Sequence, residues 1–541
     1  MNNGIFDGNI VYSVPGYQSS DIKACLSIPS GGLCPNVPTP YYLSNYTNQS
    51  NIDYKSLVLV FDTRLSTSTT ITLNFQTAAT YYVDWGDGNT AYYVMTAVGT
   101  RSYTYRTHGV YTVQVYAPSY SQIYGAAGGL SGSSQLIKVL SFGEMNTSNM
   151  YLAFTNAPNL IEVPKNLPFG STPLYLGSLF TNATKLNDAN VMYWNTNNIT
   201  DMSSLFQGHT SFNRDLSYWD VSKCINFSSM FQNATSFNEN LNNWQLVAAG
   251  GINCTNMFNS ATSFTGRGLN TWNTSSVNNM SNMFANATNF SQDLSSWNTS
   301  NVTNLNSMFR FTAINSSSSG INNWNVSKVT DFGAVFYGAQ VNFPLNNWNT
   351  ASATNMAQTF SNNLVFNQDL STWNTSGVTS MMEMFSAARA FNNGGSSSIS
   401  GWNTSNVTSM VGMFQNANAF NQPINTWNVS KVNSMYYMFQ NATVFNQPID
   451  TWNLAGFNAQ NALTLFMNGK TGTSAYSTTN YNALLIGWNN NKLLSANGVA
   501  NWRTDLTPDF GGAKYTAGGA AATARAALVS YGWTITDGGS I

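Results

Sequence analysis

The sequence predicts an α/β repeat protein, a right-handed solenoid whose coils each contain one short strand and one short helix, preceded by an all-β domain. Three observations predict this fold class. Tryptophan recurs about every 25 residues in the middle of the chain, a phenylalanine follows most of these tryptophans by 12 residues, and a β-rich segment precedes the repeats. Hydrophobic residues make up 43% of the 541 residues, which is ample material for a core.

The repeat period is the strongest signal in the chain. Each repeat of this size exposes apolar residues that only a neighbouring copy can bury, so the copies are expected to stack into a continuous core. Extending the phenylalanine register backwards to Phe180 and Phe154 gives about thirteen coils, which we assign to residues 121–470. The repeat tryptophans are Trp194, Trp219, Trp244, Trp272, Trp297, Trp324, Trp348, Trp373, Trp402, Trp427 and Trp452.

The coil around Trp297 shows the local pattern. Trp297 and Thr299 alternate with polar neighbours, which is the period-two pattern of a short strand. From Val302 onward the apolar residues fall at offsets 0, 3, 6 and 7, which match one face of a short helix. We therefore expect parallel strands with right-handed crossovers, in which the indoles point into the core and the asparagines point outward.

The repeat unit Met413–Ser430, with its Met-Phe, Phe-Asn-Gln-Pro and Trp-Asn-Val-Ser elements, resembles the repeat of the BspA-like leucine-rich-repeat surface proteins. The resemblance covers roughly residues 140–470. It implies a leucine-rich-repeat-like solenoid that serves adhesion on cell surfaces or virions and has no catalytic residues. Residues 471–541 also resemble the usual end of that family, and we expect them to form a C-terminal cap on the last coil.

The segment before the repeats, residues 51–120, resembles a polycystic-kidney-disease-type (PKD) β-sandwich. Its segment Val83–Asn89 is similar to the aromatic- and glycine-containing turn of that fold, and the β-rich stretches around it alternate polar with apolar residues. The resemblance implies a spacer, or in some cases a binding module.

Residues 1–50, which contain five prolines, are expected to form an extended arm that anchors the protein to a larger particle or envelope. Cys25 and Cys34 lie nine residues apart in this arm, and whether they form a disulfide stays open. The chain shows no secretory signal peptide at its start and no run near the roughly 18 apolar residues of a membrane helix. We therefore expect an extracellular protein on a virion or cell surface that has no membrane span, released after signal removal or by another route such as lysis.

Charge and residue usage argue against several function classes. The net charge is −1 with only 20 Lys and Arg, so nucleic acid and anionic membranes are poor partners. Two histidines and the lack of a Cys-x-x-Cys pair give no support to a metal site or a cofactor. His108 has no evident nucleophile as a partner, and we interpret His209 as a core or loop residue. Asp84 and Asp87 are best explained by turn capping. We therefore expect no catalytic residues and no enzyme.

The outward face of the predicted sheet is the candidate binding surface. It is neutral and rich in amides and hydroxyls, which suits hydrogen bonding to a glycan or to a polar protein face but not proton transfer near pH 7. The candidate binding residues are Asn273, Asn298, Asn325, Asn349, Asn374, Asn403, Asn428, Ser300, Ser327, Ser376 and Ser405.

These features predict a non-enzymatic surface adhesin or receptor-binding protein, on a virion, phage tail or cell surface, whose partner is a host-surface glycan or protein. The alternative is a structural decoration or assembly protein of a capsid or cell-surface layer, with the N-terminal arm bound to capsid, tail or envelope proteins. A glycan-degrading enzyme ranks last, since it needs paired carboxylates about 5–10 Å apart. Homo-oligomerisation and glycosylation of the Asn-x-Ser/Thr sites stay open.

Overall fold

The structure is a computed structural model, and it describes residues 3–5, 33–38, 56–75, 78–97, 99–116, 133–143, 150, 153–167, 174–495 and 502–541. The chain falls into two compact units, Met1–Gly250 with Ala261–Gly268 and Gly251–Ser260 with Leu269–Ile541. Most of the predicted N-terminal arm lies outside the described residues. Cys25 lies outside them as well, so whether it is bridged to Cys34 stays open.

The N-terminal part of the first unit is built from antiparallel strands. The strands are β1 (Asn3–Ile5), β2 (Leu33–Pro38), β3 (Leu57–Asp62), β4 (Thr70–Phe75), β5 (Thr80–Asp84), β6 (Thr90–Val94), β7 (Gly99–Thr104), β8 (Val110–Tyr116) and β9 (Leu136–Phe142). A five-stranded sheet has the order β6-β5-β8-β3-β9, β4 pairs with β7, and β1 pairs with β2. The sheet extends past the predicted domain boundary at residue 120, because β9 pairs with β3.

Tandem repeats follow over residues 174–479, with very little regular secondary structure. No α-helix lies between residues 174 and 477, all of which the structure describes. The repeat strands are parallel pairs of two or three residues: β10 (Leu174–Tyr175) with β11 (Ile199–Asp201), and β12 (Ile252–Asn253) with β13 (Val277–Asn279). The 3-10 helices of the described chain are Thr63–Leu65, Ser133–Gln135, Ala189–Tyr193, Leu269–Thr271, Ser316–Asn323, Asn393–Gly395, Ser397–Gly401, Gln460–Leu463 and Gly472–Ser474.

The short helix predicted from Val302 is wrong, because this segment folds as consecutive turns. The backbone N–H of Met308 donates to the carbonyl oxygen of Leu305 at 3.0 Å. Ser307 and Phe311 have positive φ angles of 56° and 52°. A positive φ at the third residue of a four-residue turn is typical of a type II turn, and it interrupts an α-helix at once.

Alternate backbone N–H groups of these turns bond to the next repeat. Ser307 donates to the carbonyl oxygen of Gly333 at 2.7 Å, and Phe309 donates to that of Val335 at 3.0 Å. The N–H groups between them close turns within their own repeat. An α-helix uses its N–H groups internally and cannot bond sideways in this way. The apolar side chains still fall on one face, which is why their spacing imitates that of a helix.

The strand predicted at Trp297 is also displaced. Its polar and apolar alternation arises from a tight turn, and the parallel β-bridges form about six residues later. Asn304 bridges to Asp331, and the N–H of Thr330 donates to the carbonyl oxygen of Thr303 at 2.9 Å. The same contact recurs from repeat to repeat, which sets one register for the whole stack in each unit.

The repeat tryptophans are buried, as the period predicts. Trp297 and Trp324 of successive repeats stack with their ring centroids 6.2 Å apart and their planes 3° apart. The indole N–H of Trp324 donates to the carbonyl oxygen of Leu294 at 3.0 Å. Each ring therefore buries a large apolar surface and satisfies its one polar atom in the neighbouring repeat.

Residues after the repeats form two α-helices, α1 (Thr478–Ser495) and α2 (Ala520–Ser530), which pack against each other. The indole N–H of Trp488 in α1 donates to the carbonyl oxygen of Ile449 at 3.1 Å. Helix α1 thereby covers apolar groups of the last repeat. In the part of the chain that the structure describes, no helix is long and apolar enough to cross a membrane.

Candidate functional site

The predicted binding asparagines lie in a turn that directly follows each buried tryptophan. In the turn after Trp297, Asn298 is exposed and Thr299 is buried. The Asn298 side-chain oxygen Oδ1 accepts a hydrogen bond from the backbone N–H of Ser300 at 3.1 Å. This Asx turn is a local alternative to sheet pairing that asparagine favours. It explains why the Trp-Asn-Thr-Ser segment is a turn and not a strand.

Threonine hydroxyls hold successive turns in register. The hydroxyl of Thr299 donates to the backbone carbonyl oxygen of Asn325 at 3.1 Å. In the same way Thr350 donates to that of Asn374 at 2.9 Å. The asparagines of successive repeats are therefore neighbours in space, at a separation close to the ~4.8 Å of paired strands.

We call the row of exposed residues formed in this way the asparagine face. Every one of its members uses Oδ1 to cap its own turn, by accepting the backbone N–H two residues later. None of their Nδ2 groups has an acceptor among the described residues, so the row presents amide donors to solvent. Its members are Asn273, Asn298, Asn325, Asn349, Asn374, Asn403 and Asn428.

The predicted serines line this face at half-buried positions and contribute less to it. The hydroxyl of Ser327 donates to Oδ1 of Asn325 at 2.7 Å, so it reinforces the turn. Ser300, Ser376 and Ser405 are also half-buried, and each gives its backbone N–H to the turn.

The next asparagine in this register, Asn453, is held by the C-terminal segment. Its Oδ1 accepts a hydrogen bond from the indole N–H of Trp502 at 3.1 Å, besides that of the Ala455 backbone. The C-terminal segment therefore contacts this register at Asn453, one repeat after Asn428.

The two carboxylates of the candidate pair, Asp84 and Asp87, cap turns. Asp84 accepts the backbone N–H of Gly86 at 2.9 Å, and Asp87 accepts that of Asn89 at 3.1 Å. The Tyr103 hydroxyl donates to Asp87 at 2.7 Å. Burial opposes the charge of Asp87, but the hydrogen bonds from Tyr103 and Asn89 outweigh it and lower the pKa of this carboxyl. No group of three or more ligating side chains that suits a metal ion occurs among the described residues.

The two histidines and the cysteines of the repeats have surroundings typical of structural residues. Nδ1 of His108 lies 2.8 Å from the Thr63 carbonyl oxygen. His209 is fully buried where most repeats carry alanine, and burial lowers its pKa to about 4. Cys224 and Cys254 are buried, and burial raises the pKa of the Cys224 thiol to about 12. A buried neutral thiol is a poor nucleophile.

Two departures from the repeat pattern went unnoticed in the sequence. Phe311 occupies a position where the other repeats carry asparagine, glycine, serine or alanine, and Lys470 occupies the position of Ala442. Aligning the repeats position by position and searching for residues that break a column is the signal that would have found both.

No curated protein and no solved structure matches the chain. One family model matches four times in tandem, at residues 174–265, 251–317, 310–398 and 395–479, which is consistent with a BspA-like repeat protein. These matches cover more than half of the chain and coincide with the tandem repeats. The chain belongs to the family described as Mycoplasma protein of unknown function, DUF285.

Proposed function

We propose that this protein is a non-enzymatic surface adhesin or receptor-binding protein, and that the asparagine face binds a glycan or a polar protein surface of a host. The row of unpaired Nδ2 donors carries this proposal. Buried polar groups in a complex need partners, and a row of donors matches a ligand rich in hydroxyl and carbonyl acceptors.

The proposed mode of binding is the sum of many weak contacts. A single net hydrogen bond contributes about 0.5–1.5 kcal/mol. A partner that engages several equally spaced amides at once gains effective concentration with each contact after the first. We propose that the repeats of each unit stack as a leucine-rich-repeat-like right-handed solenoid, which supplies the regular spacing.

We propose that the segments before the repeats attach the protein to a larger particle or cell. The β-rich segment before the repeats serves as a PKD-like spacer, and residues 1–50 serve as the arm that joins the protein to a virion, tail or envelope. The proposed location is the outside of that particle or cell.

The test replaces the amide donors while it keeps the turns. Asp220 already stands at this position of another repeat and accepts the backbone N–H of Ser222 at 3.0 Å, so aspartate is tolerated there. The double variant Asn325→Asp with Asn374→Asp retains Oδ1 and replaces each Nδ2 donor by an acceptor. We expect binding to glycan arrays and host cells to fall at least about 10-fold, because two donors are lost and repulsive lone pairs replace them.

The matched control is Asn342→Asp. Asn342 is exposed, and its Oδ1 accepts the backbone N–H of Asn367 at 2.9 Å, but it lies outside the asparagine face. This control should bind like the unaltered protein at both low and high salt. Unchanged binding by the double variant contradicts the proposal, and so does binding of neutral glycans that collapses with salt, since neutral contacts are only weakly screened.

A further inference from the structure

One position of the second unit carries a strained aromatic residue. Phe311 has a φ angle of 52° and is 40% exposed. A left-handed backbone is unfavourable for a residue with a Cβ, and small or amide side chains tolerate it best. Other repeats carry such side chains at the same place: Asn182, Gly208, Asn233, Ser260, Asn286, Gly338, Asn362, Ala387, Asn416, Asn441 and Gly469.

The neighbouring repeat makes room for this ring. A Cβ atom on Gly338 would lie only 2.3 Å from the Phe311 ring, so the ring fits there because residue 338 is glycine. Phe311 and Tyr337 meet edge to face with their centroids 5.1 Å apart. The guanidinium of Arg310 lies 5.2 Å from the Phe311 centroid and 5.0 Å from that of Tyr337. Two aromatic rings thus hold one cation in place.

The guanidinium N–H donors of Arg310 have no acceptor in the part of the chain that the structure describes. No carboxylate lies within salt-bridge distance of its guanidinium among the described residues, and no hydrogen bond from its side chain is formed with them. In other repeats the same column contains paired amides, for example Gln415, whose Nε2 donates to Oε1 of Gln440 at 2.7 Å. The Tyr337 hydroxyl accepts a hydrogen bond from Nδ2 of Asn362 at 2.8 Å, so its own proton remains available for another acceptor.

We infer that Arg310, Phe311 and Tyr337 form a binding site for the carboxylate-bearing sugar of an acidic glycan. The guanidinium binds the carboxylate through paired N–H donors, the Tyr337 hydroxyl donates to a ring oxygen or hydroxyl, and the exposed part of Phe311 packs on the apolar face of the sugar. A strained backbone, such as that of Phe311 with its positive φ angle, is found most often at active sites and ligand-binding sites. The inference adds a charged site beyond the asparagine face, and it rests on the proposed function for the biological setting.

The chemistry favours a single acidic sugar over other anions. A nucleic acid or an anionic membrane requires clustered cations, and this chain has 20 Lys and Arg in 541 residues. The single guanidinium of Arg310 can pair with one carboxylate. The exposed ring of Phe311 favours an anion that also has an apolar face of C–H groups, as a sugar ring does.

The test measures glycan binding by the full chain. Glucuronate-terminated and sialylated oligosaccharides are titrated calorimetrically beside neutral counterparts of the same size. The variant Arg310→Gln restores the amide found in this column elsewhere, and it should lower the affinity for acidic glycans at least 10-fold. Phe311→Asn restores the favoured residue, so it should raise Tm while it lowers that affinity. The control is Arg389→Gln, because Arg389 is exposed and stands at a different position of its repeat. This variant should bind acidic glycans like the unaltered protein.

The outcomes separate this inference from the proposed function. Equal affinity of the unaltered protein for acidic and neutral glycans, or acidic binding that survives Arg310→Gln, overturns the site. If one of these results overturns the site but the protein still binds host cells, the adhesin proposal stands. Arg310-dependent binding of acidic sugars without any binding to host cells retains the site and removes the adhesin proposal.

Discussion

The hydroxyl of Tyr437 donates a hydrogen bond to a carboxylate oxygen of Glu383 at 3.0 Å, across the repeat that lies between them. Gly412 of that intervening repeat permits the contact, because a Cβ there would lie 2.4 Å from the Tyr437 ring. Glu383 also accepts from Nε2 of Gln358 at 2.8 Å. Burial and the Glu383 carboxylate raise the pKa of Tyr437 to about 12. Gln358, Glu383 and Tyr437 thereby join three repeats through side-chain hydrogen bonds and pass over the repeat of Gly412.

We expect Gly412→Ala to break this link. The methyl group must displace the Tyr437 ring, and the positive φ of 57° adds backbone strain, so the free energy of unfolding should fall by roughly 2–4 kcal/mol. Urea unfolding followed by fluorescence measures the loss.

A matched control separates the two causes. Gly472 has almost the same φ angle, 56°, and no atom within 4 Å of an added Cβ. Gly472→Ala should therefore cost only about 1 kcal/mol. Equal losses for the two variants would show that strain alone matters and that the Tyr437 contact contributes nothing.

We expect acid to destabilise the protein through His209. Its pKa is about 4 in the folded protein because burial disfavours the charged ring, against 6.5 for the free side chain. Between these two values the unfolded chain binds more protons, so the free energy of unfolding falls as pH falls from 6.5 to 4. The loss amounts to roughly 2 kcal/mol at pH 5.

Chemical denaturation at pH 7.5, 6 and 5 checks this pH dependence. His209→Ala places the residue of neighbouring repeats at this position and should remove that part of the slope, whereas His108→Ala should retain it. A slope that is the same with and without His209 refutes this assignment.

We expect alkali to stabilise the protein through Lys470. This side chain is buried, Nζ donates to the carbonyl oxygens of Ala442 and Thr443 at 2.7 and 3.3 Å, and burial lowers its pKa to about 8. Between pH 8 and the usual value of 10.5 the unfolded chain binds more protons, so the free energy of unfolding rises with pH across that range.

Unfolding at pH 7.5, 8.5 and 9.5 measures this rise. Lys470→Met has similar length and no charge, so it should flatten the profile relative to the exposed control Lys514→Met. An unchanged profile in Lys470→Met would mean that other groups set the alkaline stability.

The sequence predicts the features that follow from burial of apolar side chains. It does not predict the turns, which depend on residues with a positive backbone φ angle. The period of Trp297 and Trp324 predicts their inward position, because only stacked copies bury them. The helix prediction fails because turns and helices both bring residues three and four apart onto one face. The recurring asparagines at positive φ, such as Asn286 and Asn416, are the signal that distinguishes the two.

The candidate site likewise has features that the sequence predicts and features that it does not. Exposure of the asparagines follows from their alternation with buried neighbours and is predictable. The use of Oδ1 in each turn, which leaves Nδ2 as the free donor, depends on turn geometry that alternation does not specify. Phe311 is a single exception within its column, whereas Arg310 stands in a mixed column that also contains Tyr337. No pattern of residues along the chain predicts that Gly338 makes room for the Phe311 ring.

The most direct test of the asparagine face records the side-chain amide signals of protein labelled with ¹⁵N at asparagine while a bound glycan or receptor fragment is titrated. Single Asn→Asp variants assign the signals. The account predicts that the Nδ2 signals of Asn325, Asn349 and Asn374 shift together on binding while that of Asn342 stays in place. Shifts confined to asparagines outside the face, with these three unmoved, would contradict it.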